Sequence, residues 1–163
     1  MKEVLLDGYT VEKITLENLQ KYEDVFYCNE EYYMITDGRP ATKETCIETV
    51  EYCLDGYAQD NIGFLFNGDP VACLFVLEGY PEKEVLWLGL FLVHNKYKRQ
   101  SIGTKCIKAL IDAVEGTDIT KICLSVQDNN TGGLSFWLKN GFAIIDETDC
   151  GEYKNLTMEY SIK

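Results

Sequence analysis

Hydrophobic and polar positions fall into a changing pattern along the chain. From Tyr9 to Ile14 a short alternation predicts a first strand. Thr15 is placed to cap a following helix whose buried face would be Leu19, Tyr22 and Phe26. Glu30–Arg39 is aromatic and acidic and ends in turn chemistry, which predicts a loop or a short helical excursion. Thr42–Leu54 carries Ile47, Val50 and Leu54 at helical spacing. The texture then becomes strand-like: Asn61–Phe66, Val71–Leu77 and Glu84–Val93 are apolar runs, and Asn67-Gly68-Asp69 between the first two is a hairpin signal. Gly103–Val114 is a helix, with Ile107, Leu110, Ile111 and Val114 on one face. Lys121–Val126 reads as a strand, Leu134–Lys139 as a helix, and Phe142–Thr148 and Leu156–Ile162 as closing strands. The order β-α-α-β-β-β-α-β-α-β-β predicts an α+β fold with a mixed sheet, antiparallel hairpins early and crossover helices late. No linker, repeat or low-complexity segment divides the 163 residues, so the chain reads as one domain over 1–163.

Charge narrows the function. Fifteen Lys/Arg against 27 Asp/Glu leave a net charge of −12. That balance argues against nucleic-acid binding, which needs a basic face, and against an anionic membrane surface. An anionic ligand must therefore be held by a local device that overrules the global field. Seven cysteines, an odd number without any C-x-x-C pair, fit reduced thiols buried as small hydrophobes. One histidine and no Cys/His cluster leave no metal site to propose. The first residues lack a signal-peptide core, and no run reaches the ~18 apolar residues of a membrane span. The expectation is a cytoplasmic protein.

The local device is found in Leu90–Thr104, LFLVHNKYKRQSIGT. A buried strand ends at Val93, a polar loop follows, and a helix begins near Gly103. Two cations, small residues and the free N–H groups of a helix start converge there, which suits an anion. A solvated βα turn is the plainer alternative for the same residues.

This segment resembles motif A of the GNAT superfamily of N-acetyltransferases, in which an apolar strand is followed by Q/R-x-x-G-x-G/A opening a helix. The pattern falls on Lys98, Arg99, Gln100, Ser101, Ile102 and Gly103. Lys98 stands where Gln or Arg is usual, and Ser101 replaces the first glycine. A second block, Val126-Gln127-Asp128-Asn129-Asn130 followed by Leu134-Ser135-Phe136-Trp137-Leu138-Lys139-Asn140-Gly141-Phe142, is similar to the family's strand, Asn and A-x-x-F-W/Y-x-x-x-G-F signature. Together the blocks cover Val85–Phe142.

The resemblance implies a sheet of about seven strands flanked by about four helices, with a splay between the fourth and fifth strands. Acceptor-side elements would occupy 1–60, the acetyl-CoA-binding core 61–142 and closing strands 143–163. Phe91 and Val93 would offer main-chain contacts to the pantetheine arm. Backbone amides from Arg99 through Thr104 would cradle the pyrophosphate beside Lys98, with Asn130 and Trp137 near the arm. Ser101 fits at a negative φ; a positive φ there would cost serine about 1 kcal/mol or more. The implied reaction is direct attack of an amine on the thioester of acetyl-CoA, with no covalent enzyme intermediate and no metal.

Two departures from the family follow. The position of its general-acid tyrosine falls on Trp137, whose indole cannot donate a proton at neutral pH. The strand Val85–Val93 contains no acid, leaving Glu78 and Glu84 as candidate bases and His94 as a surface residue. Glu30, Glu31, Tyr32 and Tyr33 fall where the fold builds its acceptor wall, and an acidic, aromatic wall would suit a cationic amine. A homodimer is compatible with the fold. A non-catalytic acyl-CoA-binding sensor or regulatory module is the alternative of a different class; a dinucleotide oxidoreductase or a Walker-type nucleotidase is excluded for want of its glycine motif.

Overall fold

The Asn67-Gly68 turn organises the first half of the sheet. Both residues have positive φ, 52° and 87°, the two-residue loop whose twist matches the strands it joins. It connects β2 (Gln59–Phe66) to β3 (Asp69–Glu78), which pair antiparallel, with β1 (Thr10–Lys13) on the outer edge of β2. The computed structural model describes residues 1–163. Its remaining strands are β4 (Val85–Val93), β5 (Lys121–Gln127), β6 (Ala143–Asp149) and β7 (Lys154–Ser161). All seven form one mixed sheet in the order β1-β2-β3-β4-β5-β7-β6, with β4 and β5 parallel. The crossover between those two is the helix α4 (Ile102–Val114).

Two cores cover the two faces. On one, α4 and α5 (Thr131–Lys139) pack through Ile102, Ile107, Leu110 and Trp137 against Leu74, Val76, Leu86 and Leu124. On the other, α1 (Glu23–Tyr27), α2 (Glu30–Thr36) and α3 (Lys43–Glu51) cover Cys73, Phe75 and Leu92. Thr42 caps α3 reciprocally: Thr45 N–H donates to Thr42 Oγ1 at 3.3 Å, and Thr42 N–H to Thr45 Oγ1 at 3.0 Å. Buried Asn61 then ties that helix to the sheet, donating to Val50 O at 3.0 Å and Ile14 O at 3.4 Å.

The predicted strands and the two longer predicted helices are present, with two corrections, at the first helix and at the start of the last. There is no continuous helix capped by Thr15. Thr15 N–H instead donates to Asn18 Oδ1 at 2.8 Å, and Leu19–Lys21 forms a 3₁₀ turn before α1. Leu19, Tyr22 and Phe26 are nonetheless all buried. Of the two alternatives for Glu30–Arg39 the short helix is present, as Glu30–Thr36, and the sheet carries five helices where about four were expected. The last helix starts at Thr131 because Asn130 caps it, accepting from Gly133 N–H at 3.0 Å.

A β-bulge sets how β4 presents its side chains. Phe75 pairs with Leu90 but Val76 with Leu88, so Gly89 is an extra residue. With a period of two, one inserted residue exchanges the faces of everything beyond it. Leu86 and Leu88 belong to the α4–α5 core; past Gly89, Phe91 and Val93 pack there while Leu90 and Leu92 join the opposite core.

Close packing at Gly63 yields a test. A Cβ there would overlap Tyr22 Oη, and Tyr22 is fully buried with its hydroxyl donating to Glu12 Oε1 at 3.0 Å. Gly63→Ala should destabilise the protein by about 1–3 kcal/mol through overpacking, read as a lowered melting temperature; an unchanged melt would contradict this packing.

Candidate active site

The parallel pairing of β4 with β5 ends early. Only Val85–Lys121, Leu86–Ile122 and Trp87–Cys123 face one another; beyond Trp87 no β4 residue has a β5 partner. The parity of β4 shows which groups are left open. His94 N–H donates to Val71 O at 2.8 Å on the β3 side. Alternation therefore turns the backbone groups of Phe91 and Val93 away from β3 and into the gap. Val93 O is taken by Asn29 Nδ2 at 3.1 Å, which leaves Phe91 N–H, Phe91 C=O and Val93 N–H open.

At the mouth of the gap the chain turns into α4. Arg99 and Ser101 both adopt the left-handed region, at φ of 62° and 61°. Thus Ser101 has the positive φ that the sequence could carry only at a cost of about 1–2 kcal/mol for an L-residue. Such conformations persist where surrounding structure enforces them and concentrate at functional sites. Here they turn a run of amides outward: the N–H groups of Arg99 through Thr104 have no acceptor within the protein. A concave set of free amides on a helix start binds anions. Gly103 lets α4 approach α5, since a Cβ there would lie 3.0 Å from the Phe136 ring.

The sequence-predicted cations divide. Arg99 is exposed at the turn. Lys98 runs along the surface, but its ammonium donates to Asn29 Oδ1 at 2.7 Å; burial lowers its pKa, opposed by Cys28 and Glu31. Gln100 Nε2 returns to Lys96 O at 2.9 Å. Across the gap, Asn130 caps α5, and Trp137 is buried with its ring 4.9 Å from Phe136, 6.0 Å from Phe91 and 5.2 Å from Phe142. Gln127 Oε1, at the open end of β5, is buried without a partner.

A second cavity lies on the α1–α3 face. About 490 Å³ in volume, it meets β4 at Trp87, Gly89 and Leu90, where β4 parts from β5. Tyr32 and Tyr33 from α2 form one wall, Glu48 from α3 and Asp37 after α2 supply carboxylates, and Tyr52 and Tyr80 complete an aromatic rim. No lysine, arginine or histidine lines it. Burial pushes the Tyr32 phenol up to about 12 and raises that of Tyr33 further, so both stay neutral. Asp37 and Glu48 escaped sequence reasoning, because neither belongs to a local motif.

The other predicted candidates lie elsewhere. Glu31 is exposed near Lys98 and does not line the cavity. Glu78 shares its face of β3 with Val76, opposite the cavity, and pairs with the N-terminal ammonium at 2.5 Å. Glu84 precedes β4 at the end remote from the amide turn. His94 Nε2 meets Asp24 Oδ2 at 2.9 Å while its Nδ1 accepts from Lys96 N–H. The buried thiols are raised by desolvation, Cys46 to about 11 and Cys106 to about 12, which keeps them protonated and poor nucleophiles.

A mixed sheet opened between two parallel strands, with an amide-lined anion turn at its mouth, defines a receptor for an extended ligand with a polyanionic end. The residues present suit coenzyme A: free amides for phosphates, open strand groups for the amide-bearing arm, and the orphan Gln127 Oε1 as a further acceptor. The chain belongs to the acetyltransferase (GNAT) family, whose model matches residues 20–142. Among curated proteins it is 27% identical over 125 residues to a spermine/spermidine N(1)-acetyltransferase of Bacillus subtilis (strain 168), spanning 69% of this chain and 81% of the relative. An acetyltransferase from Thermus thermophilus superposes with a TM-score of 0.79 at 18% identity, over 97% of this chain and 98% of that one. The PaiA N-acetyltransferase of Thermoplasma acidophilum, solved in complex with coenzyme A, has a TM-score of 0.69 at 17% identity, over 94% and 98%. These two likenesses share the fold. No helix here is long and apolar enough to cross a membrane.

The strained turn gives a prediction. Ser101→Gly removes the left-handed penalty while adding unfolded-state entropy, so stability should rise by about 0.5–1 kcal/mol with CoA affinity undiminished. Ser101→Val, branched at a positive φ, should lower both in thermal melts and calorimetric titrations. Equal behaviour of the two variants would refute the strain.

Proposed function

We infer that the protein is an acetyl-CoA-dependent N-acetyltransferase whose acceptor is a cationic di- or polyamine. The observation that carries this reading is the cavity between α2, α3 and β4. It combines aromatic faces with two carboxylates, has no cationic lining residue, and reaches β4 where the gap opens. Aromatic faces and carboxylates recognise ammonium groups. The resemblance to a spermine/spermidine acetyltransferase supports the same class.

Acetyl-CoA would be held by the amides of Arg99 through Thr104 and by the open backbone of Phe91 and Val93, with Asn130 and Trp137 flanking the arm. Bound there, it supplies the activated acetyl group. Asp37 and Glu48 would hold a distal ammonium, directing a second, neutral amine toward Gly89. Its nitrogen attacks the thioester carbonyl: a C–N bond forms, the C–S bond breaks, and the amine's proton ends on the departing sulfur, directly or through water. The neutral Tyr32 and Tyr33 can orient the amine but not deprotonate it. A non-catalytic acyl-CoA-binding module is the second reading, favoured by Trp137 at the family's acid position and by Glu78 and Glu84 lying outside the cavity.

The test is release of CoA thiol with spermidine as acceptor, with mass spectrometry of the product. Formation of monoacetylspermidine supports the enzyme reading. CoA binding without transfer to spermidine or a panel of other amines supports the module. Asp37→Asn and Glu48→Gln should each raise KM for spermidine about three- to tenfold by removing one charge contact, leaving KM for acetyl-CoA unchanged. Equal effects on both substrates would contradict the assignment.

A further inference from the structure

The segment leading to the amide turn is stapled to the corner between α1 and α2. His94 Nε2 meets Asp24 Oδ2 at 2.9 Å, Asn95 N–H donates to Cys28 Sγ at 3.3 Å, and Asn95 Nδ2 donates to Cys28 O. At the centre lies Asn29, only 4% exposed. It occupies the N-cap position of α2 but its side chain makes no capping bond. Instead Nδ2 donates to Val25 O at 2.7 Å and Val93 O at 3.1 Å, and Oδ1 accepts from Lys98 Nζ at 2.7 Å. One amide thus joins the helix before the acceptor wall, the last carbonyl of β4 and the residue that opens the amide turn. Truncating it would leave the Val93 carbonyl without its partner and release the exposed Lys98 side chain from its anchor, and bonds to charged groups are the costly ones to lose.

We propose that Asn29 is a positioning residue that couples the two ligand sites, fixing the amide turn and the end of β4 against the corner from which Tyr32 and Tyr33 project. A polyanion on the turn and an amine in the cavity then change each other's affinity by the same factor. The amine half of this coupling rests on the acceptor reading above; the positioning of the turn does not. Lys98 acts through Asn29, not as an independent charge toward the ligand.

Calorimetric titration of CoA into wild type, Asn29→Ala, Lys98→Met and the double variant, with and without saturating spermidine, tests this. Each single variant should weaken CoA about tenfold, and the double variant should be no weaker than either. Spermidine should tighten CoA about fivefold or more in the wild type and leave it unchanged in the variants. Additive losses would overturn the positioning role, and coupling that survives in Asn29→Ala would overturn the route. If wild type binds CoA but spermidine neither binds nor alters it, the acceptor reading and the coupling fall together, while the CoA cycle still decides the positioning role. If Asn29→Ala does not fold, Asn29→Asp, which keeps the acceptor for Lys98 and loses the donor to Val93 O, should by itself weaken CoA about tenfold, and unchanged affinity in it would overturn the positioning role.

Discussion

An unpaired strand edge in the middle of a sheet is the constraint on which the rest of this structure depends. Buried backbone groups without partners are costly, yet β4 leaves β5 after Trp87 and exposes the groups of Phe91 and Val93. The edge persists because other elements hold its two sides apart. On one face the rings of Phe91, Phe136, Trp137 and Phe142 pack beneath it in tilted and edge-to-face contacts; on the other, the bulge at Gly89 turns Leu90 and Leu92 into the second core. The gap is therefore built into the packing, and the proposed ligand arm would complete the sheet's hydrogen bonding.

The acidity of the chain and the proposed anion site are compatible because they act over different lengths. A net charge of −12 sets a field that solvent and salt screen over roughly 8–10 Å. At the amide turn, close-range N–H groups fixed by two left-handed residues dominate. The surplus of acid is then free to serve elsewhere, and in the α2–α3 cavity it stands opposite aromatic faces with no counter-cation in the lining.

Much of the fold was legible in the sequence because it is encoded locally. Asn67-Gly68 specified its hairpin, the apolar spacing in Gly103–Val114 specified α4, and Lys98–Gly103 marked the turn that α4 opens. What escaped depends on tertiary packing. Gly89 inside an apolar run was the only trace of the bulge, and nothing in a serine announces a positive φ. Asn29 looks like an ordinary polar residue between two helices until the chain brings Val93 and Lys98 to it. Asp37 and Glu48 line one cavity only because α2 and α3 lie across the same strands. Asn18 displaced Thr15 at the first helix because an Asn side chain can close the turn on Thr15 N–H.

A crystal structure with CoA bound tests the open β4–β5 edge most directly. Phosphate oxygens should lie on the N–H groups between Arg99 and Thr104, the arm should bond to Phe91 and Val93 within the β4–β5 gap, and the thiol should sit beside Gly89 facing the Tyr32–Glu48 cavity. Phosphates held elsewhere, or β4 and β5 closed together beyond Trp87, would contradict it.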